Sequence, residues 1–299
     1  VVASDLRVRF VWYQLLSAVG ALHAAGVTHG GLSATTVRLS PQLWVWLEPP
    51  ARPPPAVPRP IDKPLTVQWV ERTLSTYDYL MAVNAAAGRL LSDVAHHPVL
   101  PWVTDFSQPN GGWRDLTRSK FRLLKGDSQL DHTFATSSPP HHLPEPPLTD
   151  LTTYMLCARR LPVDVLQREI RREVRPAEYP ASMARLYAWA AEECIPELFT
   201  DACVLVSRHA GLGLGDVQLP EWCATPEAFI QYHRDALESD TVSAAVHHWI
   251  DLTFGCLLSG EAATQARNVP LAPCFAARRT LPAATGHVQV FKVPHPPRQ

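Results

Sequence analysis

No apolar run in this 299-residue chain approaches the ~20 residues that a membrane-spanning helix needs. The opening VVASDLRVRF is not a signal peptide either. No sign of charge dominates: 27 Lys and Arg stand against 28 Asp and Glu, giving a net charge of −1, and no basic block exceeds two consecutive arginines. That excludes the electrostatic footprint of a nucleic-acid binder and a polybasic membrane anchor. Close cysteine pairs are missing as well. The six cysteines, at 157, 194, 203, 223, 256 and 274, include no C-x-x-C, so zinc lacks its usual ligand spacing, and their apolar neighbours predict reduced, mostly buried thiols. The expectation is a soluble, intracellular chain. Because it starts without methionine at the approach to a helix, it reads as a segment of a longer protein.

What is present supports a folded core. Hydrophobic residues make up 46% of the chain, with nine tryptophans, and a chain of this size buries about 75% of its unfolded surface. Disulfide staples are unnecessary. Proline gives the clearest boundary: EPPARPPPAVPRPIDKP, 48–64, has Pro at eight of seventeen positions, which forbids helix and favours an extended linker. Its P-x-x-P spacings beside Arg52 and Arg59 could dock an SH3-type groove, though any Pro-rich linker produces such spacings. A second cluster, TSSPPHHLPEPP at 136–147, reads as a long surface loop with His141 and His142 as its polar residues.

Helical windows lie between these breakers. STYDYLMAVNAAAGRL begins with Ser75 as N-cap and places Tyr79, Leu80, Val83 and Ala87 on one face. LTDLTTYMLCARRL and SMARLYAWAAEECI follow the same style, and TPEAFIQYHRDALES opens with a Thr cap and Pro at the first helical position. HPVLPWVTDF and DVQLPEWCA look extended, but their prolines keep them out of a central sheet. The predicted class is mainly α, threaded by irregular extended core segments.

HHWIDLTFG, 247–255, is the densest group of chemistry-bearing side chains. In the surrounding window Val242, Val246, Trp249, Ile250 and Thr253 recur at helical spacing, and Gly255 is the expected stop. One carboxylate, Asp251, then lies within reach of His247 and His248. Such a set could orient a general base or donate metal ligands, but both uses need third groups that the sequence does not show. The structural reading is a satisfied polar pair on a buried helix face. GLGLG, 211–215, lacks the Walker lysine and the preceding strand of a phosphate loop, and reads as a turn.

QLLSAVGALHAAGVTHGGLSATTVRLS resembles the helix and catalytic loop of a protein kinase, H-R-D-L-x-x-x-N. His29 matches; Gly31 stands where the catalytic aspartate would be, and Thr36 where the metal-binding asparagine would be. Without the carboxylate nothing orients the substrate hydroxyl, and without the asparagine one magnesium loses a ligand. No D-F-G follows. The resemblance, confined to residues 1–47, implies a degenerate, helical, non-catalytic fragment.

From Leu65 onward the blocks occur in the order of another family. They include Tyr79-Leu80-Met81, Asn84, Gly88-Arg89, Asp93 and Pro98-Val99-Leu100-Pro101-Trp102, then WRDLTRSK, ECIPELF with Pro196-Glu197, DVQLPEW with Trp222, Glu238-Ser239, WIDLTFG and Asn268. The chain resembles the BEACH domain of the large BEACH and WD-repeat scaffolds. The resemblance implies a BEACH domain over 65–270, a post-BEACH segment over 271–299 leading towards a WD-repeat region, and a non-enzymatic helical fold with irregular core segments. It makes Trp249, Ile250, Asp251, Phe254 and Gly255 core elements, as it does the other signature residues, with Asn84, Arg89 and Asp93 in one polar network.

A kinase-like segment ahead of BEACH resembles one branch of the family. That branch implies a scaffold in endosome maturation, lysosomal delivery and autophagy, peripheral on endosomal and lysosomal membranes. Its implied partners are autophagy receptors, components of phosphoinositide 3-kinase complexes and other WD-repeat endosomal proteins. No cofactor is implied. The alternatives are a residual kinase, a metal-dependent enzyme using His247, His248 and Asp251, or a purely structural domain. Departures from the family pattern include Thr76 for an asparagine and AGRLLSD for A-G-R-S-Y-N-D.

Overall fold

A computed structural model describes residues 5–24, 29, 32, 36–48, 63–108, 110–271 and 287–299. Gly31, Cys274 and nearly all of the Pro-rich segment lie outside the described residues. Two units divide the chain, Val1–Lys63 and Pro64–Gln299.

In the first unit helix α1 (Asp5–Ala24) is followed by an antiparallel hairpin, β1 (Val37–Leu39) with β2 (Val45–Leu47), in the register Arg38 opposite Trp46. Gln14 joins helix to hairpin, its Nε2 donating to the Leu43 carbonyl (2.8 Å) and its Oε1 accepting from Val45 N (3.2 Å). The hairpin adds strand to a segment expected to be helical. Three-residue strands are too short to display alternation, so the sequence carried no signal for them.

The second unit is helical, as expected. Its elements are α2 (Leu65–Val70), α3 (Thr76–Ala86), α4 (Lys120–Lys125), α5 (Asp127–Thr136), α6 (Asp150–Leu156), α7 (Val163–Glu169), α8 (Met183–Trp189), α9 (Pro226–Glu238), α10 (Asp240–Thr253) and α11 (Gly260–Gln265). Caps begin them where the sequence placed them: Ser75 Oγ accepts from Asp78 N (3.0 Å), and Thr225 Oγ1 from Ala228 N (3.1 Å) ahead of Pro226. Between helices the described chain runs through short 3-10 turns and extended stretches, and among the described residues of this unit strand pairing is confined to isolated bridges such as Leu100 with Cys194 and Ser182 with Gln218. Proline explains that economy, since Pro98, Pro101 and Pro220 cannot donate to a ladder.

One core unites these parts. Trp69, Tyr79, Trp102, Phe199, Phe229, Trp249 and Phe254 are buried within it, each such side chain contributing on the order of 1.5–3 kcal/mol. Helix α9 is central, touching α3, α10 and the short turn Pro196–Phe199. A smaller cluster gathers Met155, Ala158, Leu166, Tyr179 and Leu214. The GLGLG stretch forms a turn in which Gly213 takes φ 83°. His142, expected in a surface loop, is buried instead. It stacks on Phe134 at 4.4 Å and accepts from Val269 N at Nδ1 (3.2 Å). Thiol burial is also only partial: Cys157 and Cys194 are buried, Cys203 is exposed, and Cys223 and Cys256 are intermediate.

Candidate functional site

The signature polar residues spend their atoms on backbone. Asn84, on the buried face of α3, donates from Nδ2 to the Leu80 and Val99 carbonyls (both 2.8 Å) and accepts Val99 N at Oδ1 (2.8 Å). It thus acts as the pairing strand that the extended Pro98–Trp102 stretch lacks. Gly88 turns the chain out of α3 at φ 77°, and buried Arg89 donates to the His97 carbonyl (2.8 Å). Asp93 does not join them. Its carboxylate accepts from Ala95 N (3.0 Å) and pairs with His96 Nδ1 (3.0 Å) at a half-exposed turn, where the His96 bond lowers its pKa. A short acidic side chain two residues before an unpaired N–H caps its own turn more readily than it reaches the core.

Glu238, Ser239 and Asp251 organise the next layer. Glu238 Oε2 and Oε1 accept from Thr76 N (2.8 Å) and Tyr77 N (3.0 Å), capping α3 from the end of α9. Ser239 caps α10 by accepting from Val242 N (3.2 Å). On α10 Asp251 reaches neither neighbouring imidazole as a hydrogen-bond partner: its Oδ1 accepts from His295 N (3.0 Å), and burial raises its pKa. His247 and His248 instead lie ring against ring at 3.9 Å, the first half-buried and the second exposed. The expected convergence on one carboxylate is therefore replaced by a tie to the C-terminal segment. No group of three or more metal-ligating residues occurs among the described residues.

Gly255 serves differently from the expected helix stop. Its φ is −119°, open to any residue, but a Cβ there would lie 2.6 Å from Asp251 Cα and 2.7 Å from Oδ1. Close packing over the aspartate excludes a side chain. Asn268 Nδ2 donates to the Leu252 and Leu257 carbonyls (2.8 and 2.9 Å), holding the exit of α10. Tyr79, Leu80, Trp249, Ile250 and Phe254 are core residues, as are Pro98, Pro101, Trp102 and Pro196. His97 Nε2 donates to Glu197 Oε2 (3.0 Å); burial is the largest single influence and pushes the Glu197 carboxyl up, but this bond, the charges of His97 and Arg160 and a backbone hydrogen bond together bring the net shift downward.

Several structural residues were not singled out in the sequence, although Arg114 and Lys120 lie in the WRDLTRSK block and Glu193 opens ECIPELF. His295 Nδ1 faces the Pro296 carbonyl (2.9 Å), which can only accept, so in the neutral ring Nε2 accepts from Tyr79 OH (2.6 Å). Arg298 donates to Thr76 Oγ1 (2.6 Å), Glu238 Oε2 (3.0 Å) and the Leu74 carbonyl (3.1 Å). Arg114 forms a buried two-pronged pair with Glu193, whose Oε1 lies 2.7 Å from Nη2. Lys120 Nζ donates to the Tyr187 and Ala190 carbonyls (2.7 and 3.1 Å) at the end of α8, and burial lowers its pKa to about 8.

Trp222 corrects the core expectation. It is 38% exposed, its ring leaning on Tyr232 (4.5 Å between centroids) and over Gly111, where an added Cβ would approach Trp222 Cζ2 to 3.7 Å. It sits in a turn closed by Cys223 N donating to the Pro220 carbonyl (2.9 Å). Trp222 forms one wall of a surface cavity of about 320 Å³ with Phe106, Gln108, Gln218, Leu219 and Glu221. A second cavity, about 360 Å³, shares Ser107 and is lined by Asp105, Trp113, Asp115, Lys120 and Leu124. Of the kinase-like positions, His29 is buried with Nε2 on the Glu48 carbonyl (2.8 Å), Thr36 accepts Glu48 N at its carbonyl (2.8 Å), and Gly31 lies outside the described residues.

Comparison with known proteins gives this geometry its context. The Beige/BEACH domain matches residues 67–295. Over 99% of its length the chain is 38% identical to WD repeat-containing protein 81 of Homo sapiens, covering 17% of that protein. It is 35% identical over 97% of its length to "Probable inactive serine/threonine-protein kinase lvsG" of Dictyostelium discoideum, and 42% identical over 82% to "Suppressor of organelle fusion 2" of Caenorhabditis elegans, covering 17% of each. The chain thus spans about a fifth or less of the length of the curated relatives it matches. Its family match, signature residues and helical fold agree: the chain belongs to the Beige/BEACH domain family.

Proposed function

We propose that this chain is a non-enzymatic interaction scaffold in endosomal and lysosomal trafficking and autophagy, acting on phosphoinositide 3-kinase-dependent endosome maturation through the proteins it binds. The observation that carries the reading is where the signature side chains spend their polar atoms. Asn84, Glu238, Asp251 and Asn268 each bond backbone groups and hold the fold, while cavities and exposed aromatics remain at the surface. A family defined by such residues keeps a shape on which a partner surface can vary. The names of the relatives, an organelle-fusion suppressor and a probable inactive kinase among them, support trafficking without phosphoryl transfer. Gly31 and Thr36 at the kinase positions fit the same reading. The proposed architecture is a degenerate kinase-like fragment over 1–47, a Pro-rich linker over 48–64, the BEACH domain over 65–270 and a following segment over 271–299, most of which the family match, running to residue 295, also includes.

The proposed partners are autophagy receptors, phosphoinositide 3-kinase complex components and other WD-repeat endosomal proteins. Among the described residues no helix is long and apolar enough to cross a membrane, which fits recruitment through those partners. The test is capture from endosome-enriched lysate on the full chain, quantified against an unrelated helical domain. Selective recovery of endosomal and autophagy proteins is expected; recovery no different from the control would overturn the reading.

A further inference from the structure

The chain has three asparagines, at 84, 110 and 268, and the fold treats them in two ways. Asn84 and Asn268 are buried, and each spends its Nδ2 on two backbone carbonyls. Asn110 is exposed, stands in a turn, and is followed by two glycines. We propose that Asn110 is a site of spontaneous deamidation, and that its isoaspartyl product loosens the loop beside Trp222. This site is independent of the scaffold reading above.

The reaction needs an uncovered backbone nitrogen next to a mobile side-chain amide. Gly111 supplies the first, since it has no Cβ to shield its nitrogen. Exposure supplies the second: no hydrogen bond among the described residues holds the Asn110 side chain. The Gly111 nitrogen gives its proton to water and bonds to the Asn110 side-chain carbonyl carbon. The Cγ–Nδ2 bond breaks, the amide nitrogen takes a proton from water and leaves as ammonia, and a succinimide ring remains. Water then adds to one of the ring carbonyls. Opening on one side gives an ordinary aspartyl residue. Opening on the other gives an isoaspartyl residue, whose main chain runs through the former side chain and is longer by a single carbon.

One contact opposes the attack. Gly111 N donates to the Gln108 carbonyl (3.0 Å), and that bond must open first. A lone turn bond at the surface has ordinary net strength, so it slows the attack by roughly tenfold instead of forbidding it. The buried pair differ in kind. Asn84 lies inside α3, where the helix commits the next backbone nitrogen, and Asn268 precedes β-branched Val269, whose nitrogen already donates to His142 Nδ1 (3.2 Å). Both react only when the core opens.

The surroundings of the turn give the product its effect. Asp105 N donates to the Gly112 carbonyl (2.8 Å), Arg114 N donates to the Val103 carbonyl (3.1 Å), and Thr104 bridges Trp113. Gly111 holds φ 67° against this ribbon and the indole: a Cβ there would lie 3.4 Å from Thr104 Cγ2 and 3.7 Å from Trp222 Cζ2. The turn bond from Gly111 N does not fit the longer main chain, because hydrogen bonds weaken steeply off their geometry. The ribbon then loses the closure that keeps Gly111 beside Trp222.

The test holds the full chain at physiological temperature, in parallel at neutral and mildly alkaline pH, and maps its peptides by mass spectrometry over time. An isoaspartyl-directed methyltransferase marks the isomer. Expected is the amide-to-acid mass gain at Asn110, faster at the higher pH because the attacking nitrogen is deprotonated, with isoaspartate among the products. Asn84 and Asn268 should trail it by about tenfold or more while the chain stays folded. Asn110→Gln should all but stop the reaction, since its longer side chain must close a larger ring, and the melting temperature should not move at so exposed a position. In the aged chain the amides of Asp105 and Arg114 should exchange with solvent faster than in the equally aged variant. An intact Asn110, equal gain at Asn84 or Asn268 in the folded chain, or an undiminished rate in Asn110→Gln would each overturn the site. Absence of isoaspartate, or unchanged exchange at Asp105 and Arg114 in the modified chain, would overturn the loosening.

Discussion

Trp249 shows how a residue dense in apparent chemistry can serve structure. It sits between two histidines and an aspartate in sequence, yet on α10 its indole is fully buried, edge-on to Phe254 at 5.8 Å between centroids, and its Nε1 has no hydrogen-bond partner. Its contribution is packing. Trp249→Ala should cost about 3–5 kcal/mol of stability, because the removed ring leaves a cavity that a helix-lined core collapses into only partly. Trp249→Phe should cost less, since no acceptor is orphaned when the indole N–H is lost. Urea or thermal unfolding of the two variants measures both, and a near-native midpoint for Trp249→Ala would refute the packing role. Asp251 illustrates the converse. Its position one turn after His247 was readable, but its partner, a backbone N–H 44 residues away, was not.

Elements in this fold were legible where local chemistry marks them. Helices α3 and α9 carry capping Ser75 and Thr225 at their starts, and α3 and α10 carry apolar positions at helical spacing. Extended stretches were legible too, because Pro98 and Pro101 forbid ordinary alternatives. The C-terminal segment was not. Arg298 acts across 222 positions on Thr76, and nothing in the surrounding prolines has a period that would place it there. Together with Glu238 it closes a joint between α2, α3, α9 and α10: Arg298 reaches the Trp69 and Leu74 carbonyls, Thr76 and Ser243, while Glu238 caps α3. The Arg298 side chain is 6% exposed and that of Glu238 28%, so removing either strands a largely buried charge. Arg298→Ala should therefore destabilise by roughly 2–4 kcal/mol, somewhat under the ~3–5 kcal/mol of a wholly buried pair because Glu238 keeps some solvent. The double variant Arg298→Ala/Glu238→Gln should lose less than the sum of the single variants, as a double-mutant cycle by chemical denaturation would show. Strict additivity would mean that the two side chains act independently.

At the scale of the whole molecule, the protonation of buried and half-buried imidazoles sets an acid limit. His233 is fully buried, stacked on Phe199 at 4.0 Å, with Nδ1 donating to the Leu198 carbonyl (3.0 Å). Burial pushes its pKa down to about 4, and does the same to His247 and to His287, whose Nε2 donates to the Glu145 carbonyl. In the unfolded chain each titrates near 6.5. Between those values the unfolded state holds more protons than the folded one, so stability rises with pH across that interval and is lost as pH falls from about 6.5 towards 4. Above about 6.5 these groups are neutral in both states and impose no slope. The melting temperature should accordingly be flat with respect to these imidazoles near neutrality and decline on acidification through that window. His233→Phe keeps the aromatic stack and removes one titrating group, so it should make the decline shallower even though losing the bond to Leu198 lowers the neutral-pH value. Melting curves recorded from pH 7.5 to 4 for both proteins decide it: an unchanged acid slope in the variant would mean that His233 protonation does not oppose folding, and that the acid limit lies with other groups.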